Sequence, residues 1–167
     1  NLNRRNNDLQ FFEFGKTYAT AEGKYKEKNH LCLYITGNIE EQSWKNDATK
    51  GDYFYLKGAV ENIFKLTGLK RLSVESLPNE MFSNGSSMMM GKFSYAQLGE
   101  VSPSLLKQFD IKQPVFYADI DFDLVTNQKT KPAQYRELSK FPVVNRDLAI
   151  LVDKNVSYSQ IEQIALT

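Results

Sequence analysis

The chain has 167 residues, 41% of them apolar, 25% charged and 13% aromatic, with a net charge of +1 and one cysteine. That is material for one good core, or one core and part of another. It excludes an internal disulfide, a thiolate metal cluster and strong long-range attraction to nucleic acid, and no apolar run approaches the ~18 residues that cross a membrane.

The chain opens on a polar run, Asn1 to Asp8, without an initiator Met, and closes early in a predicted helix, so a piece of a longer protein is expected. Leu9 to Tyr18 reads as a strand with Phe12 and Phe14 on a core face, and Ala19 to Lys28, with Gly23, as a hairpin connection. Asn29 to Gly37 returns as a strand of clean period two, Leu31, Leu33 and Ile35 against His30, Cys32 and Tyr34. Asn38 to Gly51 is a polar loop in which Trp44 is expected over a sheet edge or in an interface. Asp52 is placed to cap a helix from about Tyr53 to Thr67, with Leu56, Val60, Ile63, Phe64 and Thr67 on one stripe and Gly68 as the stop.

Arg71 to Ser76 is a candidate strand with Leu72 and Val74 inward, and Leu77 to Ser87 is expected to be irregular, with a turn at Asn84-Gly85. Met88 to Val101 reads as a β-hairpin turning at Gly91-Lys92. Ser102-Pro103 then caps and starts a short helix to Phe109 that buries Leu105, Leu106 and Phe109, and Val115 to Phe122 is a further strand. Leu124 to Leu138 is the candidate boundary. Arg146 to Val152 reads as another strand, and Ser157 with Gln160 forms a capping box. The fold class is α+β, an antiparallel sheet flanked by helices.

Residues with chemistry are few. His30, the single histidine, sits two positions from Cys32, and two ligands do not make a zinc site. Asp119, Asp121 and Asp123 alternate along a strand and its end, where a solvated face or lysine partners are the simplest reading and a hard cation or an acid–base pair the sharper one. Neither GxGxxG nor GxxxxGK occurs, and nothing places a serine beside His30. Arg4, Arg5 and Arg146 suit a phosphate or a partner carboxylate, and Met88 to Met90 suit either a core or a partner surface.

Four stretches in order carry a resemblance: Asn1 to Arg5 running into FEFGKTY at Phe12 to Tyr18; DYFYLKGAVE at Asp52 to Glu61; QLGEVSP at Gln97 to Pro103; and FPVVNRDLA at Phe141 to Ala149. Together they resemble the bacterial phenylalanine–tRNA ligase beta-subunit family. The resemblance implies residues 1–125 as the later part of a class II aminoacyl-tRNA synthetase-like domain, catalytic-like but inactive. It implies 126–138 as a linker and 139–167 as the truncated start of a ferredoxin-like anticodon-binding domain. It further implies a scaffold packed on an alpha subunit in an (αβ)2 heterotetramer, within a cytoplasmic complex that joins phenylalanine to tRNA-Phe using ATP and Mg2+, with no cofactor of its own in this piece. On that basis Trp44, Met88, Met90 and Phe93 are expected at the subunit interface, and Arg146, Lys140 and Arg136 on tRNA phosphates. One departure is that the His-Pro-Gly common in the family is Ser83-Asn84-Gly85 here, only the glycine being kept. The alternative is an independent α+β enzyme or small-molecule binder using the Asp119, Asp121 and Asp123 face.

Overall fold

The structure, a computed structural model, describes residues 6–21, 23–40, 43–44, 47–69, 72–128, 144 and 146–165. The chain divides into two compact units, Asn1–Pro132 and Ala133–Thr167.

The first unit is built on strands β1 (Leu9–Ala21), β2 (Lys24–Thr36), β5 (Ser73–Ser76), β6 (Phe82–Met90), β7 (Phe93–Val101) and β8 (Val115–Asp121). They form one six-stranded sheet in the order β1-β2-β8-β7-β6-β5, all neighbours antiparallel. Between β2 and β5 lie the short pair β3 (Asn38–Glu40) and β4 (Thr49–Lys50), within the span expected to be loop, and helix α1 (Tyr53–Leu66). Helix α2 (Pro103–Gln108) precedes β8, and α3 (Phe122–Thr126) follows it directly.

Helix α1 forms as its sequence dictates. The Asp52 carboxylate accepts the Tyr55 N–H at 2.8 Å, satisfying one of the orphan donors of the first turn. Gly68, at φ +80°, takes the left-handed conformation that ends the helix. Leu56, Val60 and Phe64 point into the sheet and are fully buried, each stabilising by about 2 kcal/mol. They meet Leu31 and Ile35 of β2, Ala118 and Ile120 of β8, and Met88, Ala96 and Leu98 of the β6–β7 hairpin. That hairpin turns on two residues, with Gly91 at φ +61°. An extra residue, Tyr95, bulges from β7 between the Met88–Ala96 and Met89–Ser94 pairs, and its ring joins the core edge-on to Phe64.

Several expectations are corrected. Phe12 and Phe14 do not lie in a core: β1 is the outer strand, Phe14 meets Phe122 at the start of α3 edge-on, at 5.1 Å between centroids, and the two rings are 71% and 60% exposed. Asn84-Gly85 is not a turn, because β6 runs through it from Phe82. Val74 is exposed, since β5 is the opposite edge. Ser102 makes no side-chain cap. Its hydroxyl donates to the Glu80 carbonyl at 2.8 Å, leaving Pro103 to start α2. Phe109 is exposed past the end of that short helix. Leu124 and Val125, placed at the boundary by sequence, are helical, and Val125 is buried.

In the second unit, α4 (Tyr158–Ala165) forms with the Gln160 half of its capping box made, the Ser157 N–H donating to Gln160 Oε1 at 2.8 Å. The strand expected at 146–152 is absent, and Leu148, Ile150 and Leu151 are exposed. An alternating segment becomes a strand only against a partner strand, and none is described in this unit. The expected linker and the residues around it fall largely outside the described set.

Candidate functional site

Period two on β2 and β8 sends Leu31, Leu33 and Ile35 toward α1 and the alternate set to the other, helix-free face. There His30 stands opposite Asp121, Cys32 opposite Asp119 and Tyr34 opposite Tyr117. This open face collects the chemistry-bearing side chains of the first unit.

His30 straps three strands. Its Nε2 lies 2.9 Å from Thr17 Oγ1 on β1 and its Nδ1 2.7 Å from Asp119 Oδ1 on β8. The order hydroxyl, imidazole, carboxylate is that of a nucleophile relay. Thr17 is exposed, and the two contacts tie β1, β2 and β8 together across the face. Asp121 pairs with Lys28 Nζ at 2.9 Å and also caps α3 by accepting the Leu124 N–H at 3.0 Å. Asp123 leaves the face altogether. It sits in α3, accepting the Asn29 N–H at 2.8 Å and Asn29 Nδ2–H at 2.6 Å, and these bonds hold its carboxyl below the usual carboxylate range. The three aspartates therefore do not form one cluster, and each already has a partner. Among the described residues no three His, Cys, Asp or Glu side chains converge to hold a metal.

The neighbouring part of the face is filled by aromatic rings. Tyr34 stacks on Tyr117 at 4.9 Å between centroids, and Phe82 lies on the far side of Tyr117 at 6.2 Å. Phe82 is buried because Gly85 and Gly99, paired directly across β6 and β7, leave bare backbone for its ring to sit on. A Cβ on Gly99 would come within 2.9 Å of that ring and 2.5 Å of the Asn84 carbonyl oxygen. Burial pushes the Tyr117 and Tyr34 hydroxyls and the Cys32 thiol up from their ordinary values, and Cys32 Sγ lies 3.3 Å from the Tyr117 hydroxyl. A shallow depression of about 100 Å3 remains, lined by Lys28, Ser94, Gln97, Asp119 and Asp121. Pockets that enclose small molecules run to roughly 300–1,000 Å3, so these residues do not fit a nucleotide with its cation. A second hollow, of about 350 Å3, lies between α2 and the start of β8, with Leu106, Ile111 and Pro114 in its wall.

The residues expected at an interface separate. Trp44 is 97% exposed and covers no sheet edge, and Phe93 is 60% exposed beside the hairpin turn. Met90 is half-buried against the core. Met88 is corrected: at 2% exposure it belongs to the core beneath α1, because it shares the inward face of β6. Arg146 is exposed in the second unit, while Arg136, Lys140, Arg4 and Arg5 lie outside the described residues. Sequence reading missed Thr17, Lys28, Asn29 and Phe82. Continuing the period of His30, Cys32 and Tyr34 back to Lys28 would have placed that lysine on the face.

Comparison with known proteins adds the following. The model of the phenylalanyl tRNA synthetase beta chain CLM domain matches residues 1–122. A phenylalanine–tRNA ligase beta subunit from Bacteroides thetaiotaomicron is 40% identical over 178 residues, covering 99% of this chain and 22% of the relative. Its counterpart from Syntrophotalea carbinolica is 31% identical over 169 residues, covering 98% and 21%. The chain thus spans about a fifth of the length of the curated relatives it matches. In fold it is similar to pyrrolysyl-tRNA synthetase from Desulfitobacterium hafniense, at a TM-score of 0.56 and 14% identity over 75% of this chain and 43% of that one.

Proposed function

The chain belongs to the phenylalanyl-tRNA synthetase beta chain family, and we infer from this that it is a non-catalytic, class II synthetase-like scaffold within a phenylalanine–tRNA ligase beta subunit. The observation that carries the reading is the occupied open face. Where a ligand-binding sheet would present vacant polar groups, this one presents Phe82, Tyr117 and Tyr34 stacked in a row, and Asp121 and Asp119 already bound to Lys28 and His30. A fold can keep its architecture while its site closes.

In this reading the scaffold packs on an alpha subunit in an (αβ)2 assembly, and the parent complex supplies ATP, Mg2+ and the transfer of phenylalanine to tRNA-Phe. Trp44 and Phe93 remain the interface candidates, together with the half-buried Met90 that pairs with Phe93, since large exposed aromatic groups anchor such contacts. Residues 139–167 begin the tRNA-binding portion, with Arg146 and Lys140, and Arg136 just before them, as the candidates for contact with backbone phosphates. No helix among the described residues is long and apolar enough to cross a membrane.

Co-purification tests the scaffold reading. The tagged full-length parent is expected to bring down an alpha subunit in equal amount, with the mass of a heterotetramer. A parent that purifies alone, or that forms phenylalanyl-adenylate without a partner, would sink it.

A further inference from the structure

The β1–β2 hairpin is longer than the sheet that holds it. Strand β8 pairs with β2 only from His30 to Thr36, so the ribbon formed by residues 16–28 continues without a third strand. Apart from Ala21, every described residue from Lys16 to Lys28 is exposed. The two faces of this ribbon differ in kind.

On the face continuous with His30, Lys24, Lys26 and Lys28 form a row. Strand geometry spaces them about 6.6 Å apart. Their partners across the ribbon are Ala21, Ala19 and Thr17, all small, so nothing stands up beside the lysines and a bulky ligand can approach the backbone. Lys28 is tied to Asp121, while Lys24 and Lys26 make no ion pair among the described residues. The other face holds Tyr18 and Tyr25, the latter 90% exposed, and the Lys16–Glu27 pair at 3.0 Å. Over residues 16–28 four lysines stand against Glu22 and Glu27, a local net charge of +2 on a chain whose whole net charge is only +1.

We propose that this ribbon is an RNA-contacting arm, with Lys24 and Lys26 on the phosphodiester backbone and Tyr25 available to an unstacked base. The proposal rests on the reading that the parent complex binds tRNA. Two lysines without an ion pair among the described residues, standing over small side chains, are a phosphate surface that carries no sequence code, and an exposed tyrosine is a platform on which any base can stack. Asp119 and Asp121, at the root of the row, oppose a polyanion there and direct it to the outer two lysines. The contact is therefore positional, and it does not choose between tRNAs.

The test uses the full-length parent in complex with its alpha subunit and measures tRNA-Phe binding between 50 and 200 mM salt. Two phosphate contacts contribute about 0.7–0.9 each to the slope of log affinity against log salt, so in Lys24→Ala/Lys26→Ala the advantage of the unaltered complex is expected to shrink roughly tenfold across that range. Lys24→Arg/Lys26→Arg keeps the slope, Lys92→Ala leaves binding unchanged, and Tyr25→Ala weakens affinity without altering the slope. A double variant with unaltered affinity and slope, beside an unaltered complex that binds tRNA-Phe, overturns the arm and leaves the family reading standing. Loss of the alpha subunit from the double variant, with tRNA binding per assembled complex unchanged, makes the row a protein contact and also overturns it. Failure of the unaltered complex to bind tRNA removes both.

Discussion

Substituting Gly99 with Ala tests whether the open face is packed as described. The new Cβ would lie 2.5 Å from the Asn84 carbonyl oxygen, 2.9 Å from Phe82 Cδ1 and 3.0 Å from Gly85 Cα. Turning the Phe82 ring relieves only one of the three contacts. The other two are backbone atoms of β6, so relief means parting β6 from β7 toward the open end of the hairpin. Overpacking of a close-packed site costs typically 1–3 kcal/mol, and backbone opposition puts this case near the top, at about 3 kcal/mol. That is on the order of a hundredfold in the folding equilibrium and about 6–12 °C in Tm for a chain of this size. Urea denaturation followed by far-ultraviolet circular dichroism reads the loss directly. Phe82→Ala alone costs about 3–5 kcal/mol for the vacated space. The double variant is expected to be less destabilised than the sum of the two singles, because the added methyl enters room the ring has left. A Gly99→Ala chain within ~0.5 kcal/mol of the original, or strict additivity in the double, would refute a ring seated on the glycine pair.

Removal of the α1 cap by Asp52→Ala is expected to lower stability by about 1 kcal/mol and Asp52→Asn by much less, as measured by the same denaturation. The Asp123 carboxyl is held below its ordinary range by Asn29, so its stabilising contribution is present above the unfolded value of about 3.9 and is lost as pH falls through the folded one. Asp123→Asn should accordingly flatten the decline of stability between about pH 4 and more acidic conditions, and an unchanged acid limb would discount the Asn29 bonds. The Cys32 thiol, raised chiefly by burial, should alkylate with iodoacetamide well below the rate of a free peptide thiol at pH 8 and reach that rate in urea, whereas equal rates in both would contradict its placement beside Tyr117.

What was legible in the sequence is what local periodicity encodes. The stripe at Leu56, Val60 and Phe64, its aspartate cap and its glycine stop all stand where the spacing put them, and so does the two-residue turn at Gly91-Lys92. Alternation also separated Leu31, Leu33 and Ile35 from His30, Cys32 and Tyr34. It could not say which strands would be outermost, so Phe12 and Phe14 read as core, and it left Met88 open between core and partner surface. Asn84-Gly85 has the composition of a turn, yet the glycine serves a ring three residues away. The site was least legible because its contacts are remote: His30 meets Asp119, and Asn29 meets Asp123, across 89 and 94 residues of chain. Three alternating aspartates can be counted in a sequence, but the strand that supplies their partners cannot.

The strand order also sets a timetable during synthesis. β1 and β2 are complete by Thr36, yet β8, the next strand on that side, begins at Val115, about eighty residues later. At roughly 5–20 residues per second that is about 4–16 seconds on the ribosome. For all of it the hairpin waits with both edges unpaired and Phe11, Phe12 and Phe14 uncovered. Pauses in translation between Gly37 and Pro114 would lengthen this window, and unfinished chains bearing such hairpins can pair with one another by their open edges.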